Sequence, residues 1–342
     1  MRRKHGSEDM AEQRKVYELT EEEQHEPITK EIGRQCKHRL ERRWYRRLIE
    51  LNILIIVAVI IMFVVNFSDY KDFVKQAAEQ IQEEMDSVNV DDGTEEKDAK
   101  KDNEKKENKD KEKLTEEDVP LGMQIIGYGF IILVIGYLAL YYIYAQYRSM
   151  SLRITERNFP EMYRTVEEYA NRLGIAVPKA YVMQSNGVLN AFSSFLFRKQ
   201  WIVIHSELFE VAYREHKDMD ALNFVIAHEM AHIYYGHATL HYNLPIWFSR
   251  LIPLVGSIAS RTREYSCDRL AQRLTGTDGL DAMLALVVDR HLYKMVDKED
   301  YIEEMRNQKG FFIWLVNLLA DHPVMCRRVP ALVDGRGSGK LY

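Results

Sequence analysis

His228 and His232 stand four residues apart in the run His228-Glu229-Met230-Ala231-His232. On a helix, positions i and i+4 share one face, so both imidazoles can reach one ion. Imidazole nitrogen binds zinc at about 2.0–2.1 Å, and a site that does chemistry keeps one position for water. Glu229 follows the first histidine directly. A carboxylate there can take the proton from a water as it attacks a carbonyl. The pattern predicts one Zn2+ per chain, with His228 and His232 as ligands and Glu229 as general base.

A third protein ligand is needed. His237 lies five residues beyond His232, past Gly236, where the helix is expected to stop. The metzincin pattern wants Gly at position 235 and His at 238, which here are Tyr235 and Ala238. The preferred ligand is Glu264, in Arg263-Glu264-Tyr265-Ser266-Cys267-Asp268. Glu264 and Asp268 are an i, i+4 pair on one helix face. One carboxylate can bind zinc while the other orients a ligand histidine. Cys267 is the alternative donor, since thiolate binds zinc well, but it sits off the Glu264–Asp268 line. A surface helix of ion pairs is the reading without a metal.

The elements that must carry these residues follow from local pattern. Asp218 or Asp220 is placed to cap a helix through Phe224, Val225 and Ile226 into His228, with Gly236 at its end. Residues 159–173 read as an amphipathic helix stopped by Gly174. Residues 180–183 and the β-branched run 201–204 read as strands, and Gly187 turns the chain into residues 188–192. Ser206 is placed to cap a helix from about Glu207. The expected class is α+β: a mostly helical domain with a small β-sheet packed on the helix that carries the motif.

The chain has 342 residues, and its charged and apolar residues sit in separate blocks. The net charge of -5 gives no general attraction for nucleic acid. Three cysteines without a C-x-x-C pair argue against a disulfide framework and for a reducing compartment. Residues 48–67 and 121–147 are apolar runs, each able to cross a hydrocarbon core of about 30 Å as a helix. Arg34, Lys37, Arg39, Arg42, Arg43, Arg46 and Arg47 crowd the first run, and Arg148, Arg153 and Arg157 follow the second. Basic flanks stay in the cytoplasm, so both termini are expected there, in an integral membrane protein with two spans, of the cell membrane. The expected division is a basic cytoplasmic segment 1–47, a span 48–67, a charged, largely disordered external loop 68–120, a span 121–147, and the metal-binding domain 148–342. Residues 91–118 are almost wholly Glu, Asp, Lys and Asn, while residues 70–85 keep helical spacing.

The sequence resembles the HtpX-like membrane zinc metallopeptidases, a group that includes the CAAX prenyl protease. The resemblance rests on four ordered elements over residues 190–332: Asn190-Ala191-Phe192, the zinc motif followed by Gly236-His237, Glu264-x-x-x-Asp268, and His322-Pro323 with Arg328 and Leu332. It implies a zincin-like metallopeptidase domain preceded by two transmembrane helices. Glu264 is implied as third ligand and Asp268 as its supporting partner. His322 or Arg328 is implied to stabilise the developing oxyanion. Asn190, Ala191 and Phe192 are implied to bind substrate as an added strand.

Relatives of this kind often carry two further spans between the zinc helix and the third ligand. Here residues 244–259 are interrupted by Pro245, Arg250 and Pro253, too short to cross twice, so a helical hairpin or an interfacial segment is expected. Residues 311–320 make half a span, hence core or interface. An enclosed membrane chamber and prenylated substrates are therefore not expected. The leading reading is a zinc-dependent endopeptidase acting on membrane or membrane-proximal proteins, in quality control. The alternatives are a non-catalytic zinc-bound membrane scaffold and a stress sensor. The expected partners are a protein or peptide substrate and the lipid bilayer, with no nucleic acid; the sequence leaves the oligomeric state open.

Overall fold

The computed structural model describes residues 14–89, 119–184, 191–196, 199–215, 217–252, 254–336 and 339–342. The charged stretch 91–118, the Gly187 turn and Asn190 lie outside them. In chain order the helices are α1 (Glu21–His25), α2 (Lys30–Cys36), α3 (Glu41–Val65), α4 (Phe67–Asn89) and α5 (Leu121–Met150). After strand β1 (Leu152–Arg153) come α6 (Pro160–Leu173), β2 (Lys179–Met183), β3 (Ala191–Leu196), β4 (Lys199–His205), α7 (Ser206–Glu210) and α8 (Met219–Tyr235). Then follow α9 (Leu240–Asn243), α10 (Trp247–Arg250), α11 (Val255–Thr275), α12 (Leu280–Val288), α13 (Lys298–Asn307), α14 (Phe311–Leu319) and α15 (Met325–Asp334). The chain forms two compact units: residues up to 52 together with 140–342, and residues 53–139.

Helices α3 and α5, of 25 and 30 residues, are long and apolar enough to cross a membrane, and residues 53–65 and 121–139 of them fall in the second unit. Ile53, Leu54, Ile60, Ile61 and Val64 are all more than half exposed, an apolar surface unlike that of a core helix. Residues 67–89 continue as helix α4, as their spacing predicts. Tyr70 stacks on Phe63 at 4.7 Å, and its hydroxyl fills the space where a Cβ on Gly122 would stand.

The first unit is built on a four-stranded sheet of order β1-β2-β4-β3, in which β2 and β4 run parallel and the other pairs antiparallel. Alternation divides β4 between two faces. Ile202 and Ile204 enter the main core, while Trp201 and Val203 pack with Tyr181, Phe192 and the α5 residues Tyr144 and Tyr147. Strand β3 is the edge, paired to β4 with Phe192 opposite Val203 and Ser193 opposite Ile202.

Helix α8 lies in the centre of this core. The Asp218 side chain accepts from Ala221 N at its start, and Gly236 ends it in the left-handed region at φ 73°. Leu222, Phe224, Ile226 and Met230 are fully buried, each contributing roughly 1.5–3 kcal/mol. Ser206 does not cap α7: it is the first helical residue, and its hydroxyl faces the Glu207 carboxylate at 3.3 Å. His205 takes the cap position, and its side chain does not cap the helix.

Three other stretches bear on the site. Residues 14–52 pack on this unit, with Ile28 and Cys36 in the main core and Leu48 against Ile246 and Ala259. Residues 244–259 are short turns that run into α11 rather than a hairpin. Helix α14 is no core helix, since Phe311 and Phe312 are 65% and 76% exposed. Buried Arg261 donates to the carbonyls of Leu318 and Ala320 at its C-terminal end.

Candidate metal centre

Helix α8 turns His228 and His232 to one face, with their Nε2 atoms 3.2 Å apart. Helix α11 packs against α8 and brings Glu264 between them. Its Oε2 is 3.4 Å from His228 Nε2 and its Oε1 is 3.4 Å from His232 Nε2. A tetrahedral ion with bonds of about 2.0–2.1 Å has ligand atoms about 3.3 Å apart. Each imidazole nitrogen thus stands at about that spacing from the other and from one Glu264 oxygen, and two imidazoles with a carboxylate are a donor set that zinc accepts.

Asp268, one turn beyond Glu264, supports the first histidine: its Oδ1 lies 2.9 Å from His228 Nδ1. Arg328 of α15 donates to both oxygens of Asp268. Burial opposes charge on Asp268, but Arg328 and His228 overcome it and hold the carboxyl at about 2. Glu264 is likewise held well below the usual range by His228 and His232 against the cost of burial. His228 would be pushed down by burial, yet Asp268 and Glu264 raise it to about 10. Two buried anions face His228, and the guanidinium near them, Arg328, bonds to Asp268 and stands 3.9 Å from Glu264, so their charge leaves a place for a cation.

Glu229 is 8% exposed. Burial pushes its carboxyl up to about 7, against the pull of His228 and of Ser193, which bonds to it from side chain and backbone. Ser193 belongs to β3, so Glu229 and this edge strand are in contact. Ala191 and Phe192 lie on that same strand. His322 is 3.6 Å from Glu264 and its side chain is 70% exposed, whereas the Arg328 side chain is buried. Of these two, His322 faces the open side of the site and Arg328 is committed to Asp268.

Cys267 points elsewhere. Its Sγ is 3.6 Å from His237 Nδ1, and it groups with His232 and His237 rather than with His228. Sequence reasoning set His237 aside as a ligand and gave Glu41 no role. Glu41 has no local signal, because its partner His237 is 196 residues away.

Residues 156–244 match the family profile described as peptidase family M48. The match supports a zinc metallopeptidase of that family and spans strands β2 to β4 and all of α8. Glu264, Asp268, His322 and Arg328 lie beyond its end. No curated protein and no solved structure matches the chain.

Proposed function

We propose that this chain is a membrane-anchored zinc endopeptidase of the HtpX-like kind that cleaves membrane or membrane-proximal proteins. The observation that carries the reading is the meeting of His228, His232 and Glu264, whose imidazole nitrogens stand 3.2 Å apart and each 3.4 Å from one Glu264 oxygen, with buried Glu229 beside them. Zinc, when bound, supplies Lewis-acid polarisation of a carbonyl and acidifies water. Glu229 takes the proton from the attacking water, and its raised pKa suits it to return that proton to the leaving amine. His322 donates to the developing oxyanion from the exposed side. An extended substrate adds to the outer edge of β3, which brings its backbone past Glu229. The two apolar helices anchor the enzyme as spans, with both termini in the cytoplasm and residues 91–118 outside.

The test uses the full chain in detergent, given an unfolded membrane protein or an unfolded soluble protein of similar length. Cleavage should favour the membrane protein, stop with a zinc chelator and return with added zinc. No chelator-sensitive cleavage of either would remove the reading.

A further inference from the structure

We infer that Glu41 and His237 are positioning residues for the zinc ligand His232, so that metal retention depends on the first turn of the first apolar helix. The inference rests on the reading of His228, His232 and Glu264 as zinc ligands.

The two ligand imidazoles need support on the nitrogen that faces away from the metal, since that contact fixes the tautomer and the ring orientation. His228 receives it directly from Asp268. His232 has no carboxylate in that place. Its Nδ1 lies 3.1 Å from Nδ1 of His237, with the rings edge-on at 5.2 Å. His237 is there because Gly236 turns the chain back at φ 73°, which lets His237 N donate to His232 O at 3.0 Å. The far nitrogen of His237, Nε2, lies 3.4 Å from Glu41 Oε1. Glu41 is held in turn by Lys37 Nζ at 3.1 Å and by the Ser266 hydroxyl of α11. Glu41 and His237 are only 3% and 4% exposed, so water does not compete with these bonds.

The protons can be placed along this chain of contacts. Glu41 is an acceptor, so His237 carries its proton on Nε2. His237 Nδ1 is then the acceptor for the proton on His232 Nδ1. That leaves the lone pair of His232 on Nε2, aimed at His228 and Glu264. Both ligand histidines are thus backed by a carboxylate, Asp268 directly and Glu41 through His237. Glu41 opens α3, whose apolar stretch begins at Ile53, so the seating of the N-terminal segment bears on the metal.

The test measures zinc release from the full chain in detergent, by transfer to a chromogenic chelator, together with the visible spectrum of the cobalt-substituted protein. Glu41→Gln should speed release about 10–100-fold and shift the cobalt bands, at unchanged helix content. Glu41→Asp should fall between this and the parent. His237→Phe keeps the ring packing against Tyr235 and Tyr242 and should act like Glu41→Gln, which serves if the Glu41 variants do not fold. The double variant should be no worse than either single, because one relay is broken once. Glu31→Gln, on the exposed face of α2, is the control and should release zinc at the parent rate. Release from Glu41→Gln at the parent rate, or additive effects in the double variant, would overturn the inference while leaving the enzyme reading intact. So would two zinc ions per parent chain with one lost in Cys267→Ala, since the two Nδ1 atoms would then be ligands. A parent chain that holds no zinc would remove both readings.

Discussion

Arg328 grips both carboxylate oxygens of Asp268, Nε at 2.8 Å from Oδ2 and Nη2 at 2.6 Å from Oδ1. Asp268 then has its geometry fixed where it meets His228. Replacing Arg328 with Met leaves a buried carboxylate without its cation, a change that costs about 3–5 kcal/mol. Arg328→Met should therefore lower the melting temperature and the bound zinc together. His322→Ala should keep both and lower kcat about 10²–10³-fold, as loss of an oxyanion donor does. The opposite pattern, a stable zinc-loaded Arg328→Met with slow turnover, would assign the oxyanion role to Arg328.

Glu229 and Glu264 are both buried carboxylates, but they differ in what they touch. Glu229→Gln keeps shape and removes the basic oxygen, so turnover should fall about 10²–10⁴-fold with zinc retained. Glu264→Gln removes the anionic donor beside the two imidazoles and should weaken zinc binding as well. Rates compared at equal zinc occupancy separate the two. Near-parent cleavage by zinc-loaded Glu229→Gln would end its assignment as base.

Among the described residues strand β3 has β4 on one side only, and Ser193 bonds to Glu229 from side chain and backbone. In a strand, alternate residues present their polar groups to opposite sides. A peptide added along β3 should follow the same alternation. N-methylation of every second amide of a good substrate should raise KM about tenfold, and methylation of the intervening amides should be tolerated. Equal sensitivity at all amides would argue against strand addition.

Helix α8 is capped by Asp218, which also meets Lys294 and the Tyr293 hydroxyl. Burial raises the Asp218 carboxyl, but Lys294, Ala221 N and Tyr293 more than offset this and lower it below the ordinary value. A carboxylate lowered on folding adds stability above its unfolded pKa of about 3.9, and this is lost as pH falls through the folded value. Asp218→Ala should therefore melt below the parent at pH 7, by the equivalent of about 0.5–2 kcal/mol for the lost cap. The gap should close as pH falls below about 4. A gap that does not change with pH would show that the charge of Asp218 adds nothing.

Topology can be read by labelling, but not at the native cysteines, since Cys36, Cys267 and Cys326 are all buried. Cysteine placed at Asp72 on α4 or at Lys309 before α14 is exposed. With both termini in the cytoplasm, the first should react with an impermeant reagent in intact cells and the second only after lysis. The reverse would place the metal site outside.

Several features need only the sequence, because they depend on neighbours along the chain. The i, i+4 spacing of His228 and His232 puts them on one face of any helix that forms there. Asp218 and Gly236 mark that helix by local cap chemistry, and the two long apolar helices follow from length and apolar content. The Ser206 cap was misplaced because capping depends on where the preceding strand lets go, and β4 pairs through His205. Tertiary structure decided the rest. Whether Glu264 reaches the two histidines depends on how α11 crosses α8, which no local period encodes. The commitment of Arg328 to Asp268 rather than to the open side of the site depends on the docking of α15. Glu41 is the extreme case. In sequence it is one charge among the basic residues before an apolar run. It reaches His237 only because residues 14–52 fold back onto the core, where a buried carboxylate must find partners and finds them 196 residues away.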